Sequence, residues 1–438
     1  MNKGLDSCWI KYNDMYKRWL VLLALTIGIG ATASSKINPD KIYDSNIRTI
    51  LIHPVGNSQA LPVISLVQMN ALEISFDDLK AQHQNYYYSV ELMNEDWSPA
   101  NLSPFDYLQG FNQNRITDFS ISSIAIQSYY HYKFTFPNSS CRPTQSGNYI
   151  MKVYKDANPN QLVFTQRFFV TEDQVSIMSA IQEPFDGNIS KTHQKVQLSI
   201  DTKKLSYFLP DQLKVQVVQN YRYNDGLSAP VPNFIRGPIL EYNSERDLIF
   251  PSGKEARWLD LQSLRLKSDR VSQFESTSTG TIVHVKPDLS RTATPYFKFK
   301  DLNGNFLITN TESLESDYQN DYATVMFTYI PPNQVPLVGQ HLYLNGALTN
   351  NKLDASSEMN FNPKLGIYQK SLLLKQGYYT YSYILRNHTD PDPLQDFNET
   401  EGDHWETENA YSIFVYYKPP GARHDHLIGF STVFSNQY

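Results

Sequence analysis

Residues 375–385 read Lys375-Gln376-Gly377-Tyr378-Tyr379-Thr380-Tyr381-Ser382-Tyr383-Ile384-Leu385, and this stretch decides the fold class. Side chains of an extended strand alternate between its two faces. Tyr379, Tyr381 and Tyr383 then share one face, and Tyr378, Thr380 and Ser382 the other; a helix would scatter the rings around its circumference. The same period of two recurs at Tyr130, Tyr132, Phe134 and Phe136, and at Tyr86, Tyr88, Val90 and Leu92. Aromatic residues favour strands. The chain carries 30 Tyr and 23 Phe, and its 24 Pro and 19 Gly cut it into short runs. No long helical periodicity competes, so the expected class is all-β, built of tandem immunoglobulin-like β-sandwich domains.

The N-terminus reads differently. Lys17 and Arg18 precede an apolar run from Trp19 to Gly30, followed by Ala31-Thr32-Ala33. A positive flank, an apolar core and an A-x-A site read as a secretory signal peptide over residues 1–33, with translation starting at Met1 or Met15. The run is short for a bilayer span. Cys8 lies in this leader, which leaves Cys141 alone in the remainder. An exported chain without disulfides fits a bacterial envelope. The Asn-x-Ser/Thr sequons at Asn101, Asn138, Asn188, Asn387 and Asn398 are then read as chance. The formal charge is −6, and it is dispersed. With no basic stripe to follow a phosphate backbone, nucleic-acid binding is excluded from the expectations.

Along the chain, strands at 47–53, 72–76, 86–93, 129–136, 149–154 and 164–170 suggest a first sandwich over 36–171. Its Ser146-Gly147-Asn148-Tyr149 is similar to the tyrosine corner of such sandwiches. A polar joint at 171–174 leads to a middle sandwich over 172–322. That region has strands at 194–200 and 213–219, and a hairpin of 296–300 with 306–309 around Asn303-Gly304. A third sandwich over 323–421 takes strands at 324–330, 342–347, 368–374, the tyrosine strand and 411–417. Pro419-Pro420-Gly421 stops it, and 422–438 is left as a tail.

Signatures of catalysis are sparse. There is no Gly-x-Ser-x-Gly elbow, His-Glu-x-x-His pair or phosphate-binding glycine loop. Asp77 and Asp78 are a carboxylate pair at a strand end, of the kind glycoside hydrolysis uses, and are expected to be solvated turn residues. His424 and His426 would face the same way on a strand without an evident third metal ligand, and are expected to be surface histidines. Asp301-Leu302-Asn303-Gly304 is similar to the start of a calcium loop but lacks the terminal Glu at the required spacing, so a plain turn is expected. No catalytic, cofactor or metal residue is assigned. Trp97, Trp258 and Trp405 each adjoin a charge and could stack on a sugar or anchor a protein interface.

Two resemblances follow. Leu344-Asn345-Gly346, Met359-Asn360-Phe361 and Gly377-Tyr378-Tyr379-Thr380-Tyr381 resemble the early-set sandwich of glycogen-binding modules, although Leu348-Thr349-Asn350-Asn351 stands where those modules carry a sugar-stacking Trp. This implies, as an alternative function, a carbohydrate-binding accessory protein of the envelope. The ordered set 61–66, 74–78, Asp96-Trp97, Ser146–Tyr149, Gln219-Asn220, 374–379, 408–411 and 416–429 resembles the plug proteins of the Bacteroidota type IX secretion system. That resemblance implies a non-enzymatic periplasmic protein at the inner face of the outer membrane. It would bind the translocon β-barrel and seal its periplasmic opening, with no cofactor and no small-molecule substrate. Asp96, Trp97, Pro419, Arg423, Asp425, Leu427 and Ile428 are the expected partner-binding residues.

Overall fold

Phe76, Tyr86, Tyr132 and Phe164 meet ring to ring at centroid distances of 4.8–5.2 Å in the core of the first of three β-sandwiches. The structure is a computed structural model and describes residues 39–436 apart from 69, 206–208, 230, 279, 313–315 and 388–396. The signal-peptide assignment falls outside them. One sheet of the first sandwich orders Ile47–Pro54, Leu72–Asp78, Tyr130–Phe136 and Asp118–Ile121. The other centres on Leu162–Thr171, Gly147–Lys155 and Tyr86–Met93. Tyr149 is fully buried, and its hydroxyl donates to the Gln145 carbonyl at 2.8 Å, which is the tyrosine corner expected from Gly147-x-Tyr149. Cys141 is a buried free thiol, and burial pushes it up to about 11, so it is inert.

The second and third sandwiches are not consecutive, and here the structure departs from the expected segmentation. In the second sandwich, Ser176–Gln182, His193–Asp201, Ile239–Tyr242 and Phe234–Arg236 form one sheet. The other orders Leu227–Ala229, Leu213–Gln219, Ala410–Tyr417 and His426–Phe434. Strand Ala410–Tyr417 therefore pairs with Leu213–Gln219, from Leu213 opposite Tyr417 to Gln219 opposite Tyr411, rather than within the third sandwich. The segment read as a tail supplies a nine-residue strand. The third sandwich is inserted between these halves. Arg257–Asp260, Phe306–Ile308 and Gln340–Asn345 pair with the tyrosine strand Gly377–Asn387. They face Val271–Thr277, Gly280–Val285, Tyr322–Tyr329 and Ile367–Lys375.

The hairpin expected of 296–300 with 306–309 does not form. Residues 296–300 are in no strand, and Phe306–Ile308 pairs with Gly377–Tyr379 instead. The rings explain both choices. Phe306 stacks on Tyr379 at 5.3 Å, while Tyr296 lies flat on His404 at 3.9 Å and donates to Glu255 at 2.6 Å.

The tyrosine wall is core. Tyr379, Tyr381 and Tyr383 are buried, and each buried hydroxyl has a partner, as burial of a polar group demands. Tyr379 donates to the Lys375 carbonyl at 2.5 Å. Tyr381 and Tyr383 both donate to Oδ2 of buried Asp288 at 2.9 Å. Its Oδ1 accepts from Arg257 at 2.7 Å and from Arg270. Thr380 on the opposite face is buried too, with Oγ1 donating to the Asn305 carbonyl at 2.7 Å.

Candidate functional site

Of the seven residues expected to bind a partner, Trp97, Asp425 and Leu427 meet along an internal seam between the first and second sandwiches. Leu427 is fully buried in an apolar cluster with Leu61, Val63, Phe169, Val218, Phe414 and Tyr416. Trp97 packs against the same cluster, its ring 5.6 Å from Phe169 and 4.9 Å from the Arg167 guanidinium. Ile428 belongs to the core of the second sandwich. Buried Asp425 accepts from the Glu95 N–H, and its own N–H donates to Asn94, both at 3.3 Å. Asp96 is exposed and caps its own turn through Ser98 at 2.9 Å and 2.5 Å. Arg423 is exposed and lies 3.4 Å from Asp106 of the first sandwich, and Pro419 is half-buried. Leu427, on the strand His426–Phe434, and Asp425, just before it, are thus joint residues, because that strand completes a sheet of the second sandwich where a tail was expected. Exposed apolar side chains include Phe119, Ile121, Ile124 and Ile126, on and after an edge strand of the first sandwich.

His424 is buried as well, against the expectation of surface histidines. Burial and neighbouring His426, 4.0 Å away ring to ring, hold His424 down to about 4. His426 Nδ1 lies 2.9 Å from Glu172.

A second joint ties the first sandwich to the third. Asp77 is neither a solvated turn residue nor half of a catalytic pair: it is fully buried at the centre of a polar hub. Its carboxylate meets Lys375 Nζ at 2.7 Å, His131 Nδ1 at 2.6 Å and the Tyr322 hydroxyl at 2.6 Å. Lys375 is itself 1% exposed and sits 4.5 Å over the Tyr129 ring. Burial alone would raise the Asp77 carboxyl, but the Lys375 charge and the His131 contact outweigh it and hold it below the ordinary value. Asp78 accepts from Tyr86 at 2.8 Å. With both carboxylates buried and partnered, no substrate reaches them.

Where the three sandwiches converge there is a cleft of about 860 Å³. The first sandwich contributes Val63 and Ile64, the second Tyr221 and Phe430, and the Asp301 turn closes it. Behind that turn is a small cavity of about 30 Å³. Asp301, Asn303 and Glu408 line both spaces. Burial raises Asp301 to about 7 against the opposing N–H bonds of Ala256 and Asn303, and the charges of Glu408 and Glu255 add to the rise. Burial also raises Glu408 and Glu255. Sequence reading found Asp301 and Asn303 but not Glu408, which lies 105 positions from Asn303 and 3.2 Å from its side-chain amide. Trp258 and Trp405 are half-buried, Trp258 against Phe299 at 5.1 Å.

Residues 47–172 match the family model described as type 9 secretion system plug protein 1st domain. A crystal structure of a hypothetical protein from Parabacteroides merdae is 32% identical, with a TM-score of 0.86, covering 90% of this chain and 99% of that one. The chain thus carries the first domain of the type 9 secretion system plug protein family. No curated protein matches it. The plug-family match spans the first sandwich, whose Asp77, Trp97 and Val63 build the two joints. The similarity to the Parabacteroides protein extends across the insertion of the third sandwich into the second. Among the described residues, no helix is long and apolar enough to cross a membrane, and no three His, Cys, Asp or Glu side chains are grouped to hold a metal.

Proposed function

We propose that the protein is a non-enzymatic periplasmic plug, delivered by its signal peptide to the inner face of the outer membrane. There it binds the type IX translocon β-barrel and closes its periplasmic opening. The family match over the first sandwich carries this reading. The build of the molecule supports it physically. Residues Asn38–Tyr438 form one compact unit, cross-braced by a buried apolar seam and a buried ionic hub. A stopper has to keep its shape under load, and a body already rigid loses little conformational entropy on docking. The paired carboxylates that could have suggested hydrolysis are consumed as braces. Affinity purification of the tagged protein from its native envelope, followed by crosslink mapping, tests the assignment. Recovery of the translocon barrel, with crosslinks from exposed positions of the plug, is the expected result. Purification without the barrel under crosslinking conditions would overturn it.

A further inference from the structure

The cavity behind the Asp301 turn has a chemistry that bracing alone does not use. Asp301-Leu302-Asn303-Gly304 makes a tight turn, with φ of 52° at Asn303 and 80° at Gly304. The acidic residue that the local sequence lacks arrives from the chain returning to the second sandwich, as Glu408. Two neutral oxygens line the same cavity without a hydrogen-bond partner: Ser252 Oγ, on a residue 2% exposed, and Asn345 Oδ1, on a residue 4% exposed. Buried acceptors are ordinarily satisfied, so two on one cavity beside the carboxylates of Asp301, Glu408 and Glu255 point to something bound between them.

The two cations that line the cavity bond to other groups. Arg222 donates to Asp225 at 3.1 Å and to Gln219, and Lys254 to the carbonyls of Arg291 and Thr294 at 2.8 and 3.0 Å. No thiol or imidazole lines the cavity.

We propose that this cavity binds a hard divalent cation, calcium by its donor chemistry, through Asp301, Glu408, Asn345 and Ser252. Hard cations take oxygen ligands, and calcium in particular accepts irregular sets that mix carboxylate, amide and hydroxyl oxygens at about 2.3–2.6 Å, with water completing the shell. Magnesium demands near-ideal octahedral geometry and sheds its water reluctantly. Asp301 and Glu408 open onto the larger cleft, which gives the ion a route in. Bound there, it would fasten the Asp301 turn of the third sandwich to the Glu408 segment of the second, making the plug stiffer wherever the envelope holds calcium.

The test uses the mature chain, stripped with chelator and titrated calorimetrically with CaCl2, and with MgCl2 and NaCl for comparison. The expected result is saturable one-site heat with calcium, weaker with magnesium, and a Tm that climbs with the logarithm of free calcium. Glu408→Gln and Asn345→Ala should each weaken binding by about tenfold or more, with unchanged far-UV circular dichroism. No saturable heat, together with a calcium-induced Tm shift no larger than NaCl gives at equal ionic strength, would mean that the cavity holds a water only and would overturn the proposal. The wild-type titration decides this even if a variant does not fold.

Discussion

Asp77→Ala removes the centre of the hub that joins the first sandwich to the third. Lys375, 1% exposed, then loses its carboxylate partner and retains, among the described residues, the Asp317 carbonyl at 2.5 Å and the Tyr129 and Tyr322 rings. Truncating one partner of a buried ion pair costs about 3–5 kcal/mol, mostly because the other charge is stranded. The loss of the His131 and Tyr322 contacts places the expected value at the upper end of that range. Urea denaturation followed by circular dichroism and intrinsic fluorescence measures it, and a new early transition would locate the loss at the joint. The charge has a pH signature as well. Because the folded Asp77 carboxyl sits below its ordinary value, its contribution is complete above the unfolded value near 3.8 and disappears as pH falls through the folded one. Asp77→Leu combined with Lys375→Met leaves no stranded charge and should regain most of the loss. A loss below about 1 kcal/mol for Asp77→Ala, or a double variant no better than the single, would refute the hub as a brace.

Three further outcomes follow from the packing and the charges. Tyr383→Phe deletes one of the hydrogen bonds that Asp288 accepts, and should cost about 1.5–3 kcal/mol in the same denaturation assay, the range for bonds to a charged group. Gly377→Ala places a Cβ 2.5 Å from the Leu307 carbonyl oxygen, so it should unpair Phe306–Ile308 from the tyrosine strand, visible as faster amide exchange at Phe306–Ile308. His424 is held at about 4 in the folded chain against 6.5 when free. The unfolded chain therefore takes up its proton first, and stability should fall between pH 6.5 and 4 by up to about 1.4 kcal/mol per unit, a slope that His424→Gln removes.

What the sequence made legible was what strand periodicity encodes locally. Tyr86–Met93 and Leu213–Gln219 are where alternation puts them, and Gly147-x-Tyr149 announces its own corner. Gly377-x-Tyr379 repeats that signal, since the Tyr379 hydroxyl also reaches back four residues to a carbonyl, and it could have been read the same way. Which strand pairs with which is a long-range choice that periodicity does not carry. Ala410–Tyr417 looks like a closing strand of whatever precedes it, yet it returns across the whole third sandwich to Leu213–Gln219. The same blindness concealed the sites. Asp77 looked like a turn because Lys375, 298 positions away, is invisible locally, and the Asp301 turn looked incomplete because Glu408 is equally remote. The family-like fragments were informative because they mark joints, where a residue must suit two domains at once: Trp97, Leu427 and Tyr416 all meet at one seam.

The sealing role is tested most directly in the living envelope. Uptake of a large antibiotic that the intact outer membrane excludes should be measured in the parent strain, in a strain lacking this protein, and in one lacking both the protein and the translocon barrel. A plug predicts that uptake rises when the protein alone is missing and returns to the parent level when the barrel is removed too. Unchanged uptake without the protein, or a rise that persists without the barrel, would contradict it.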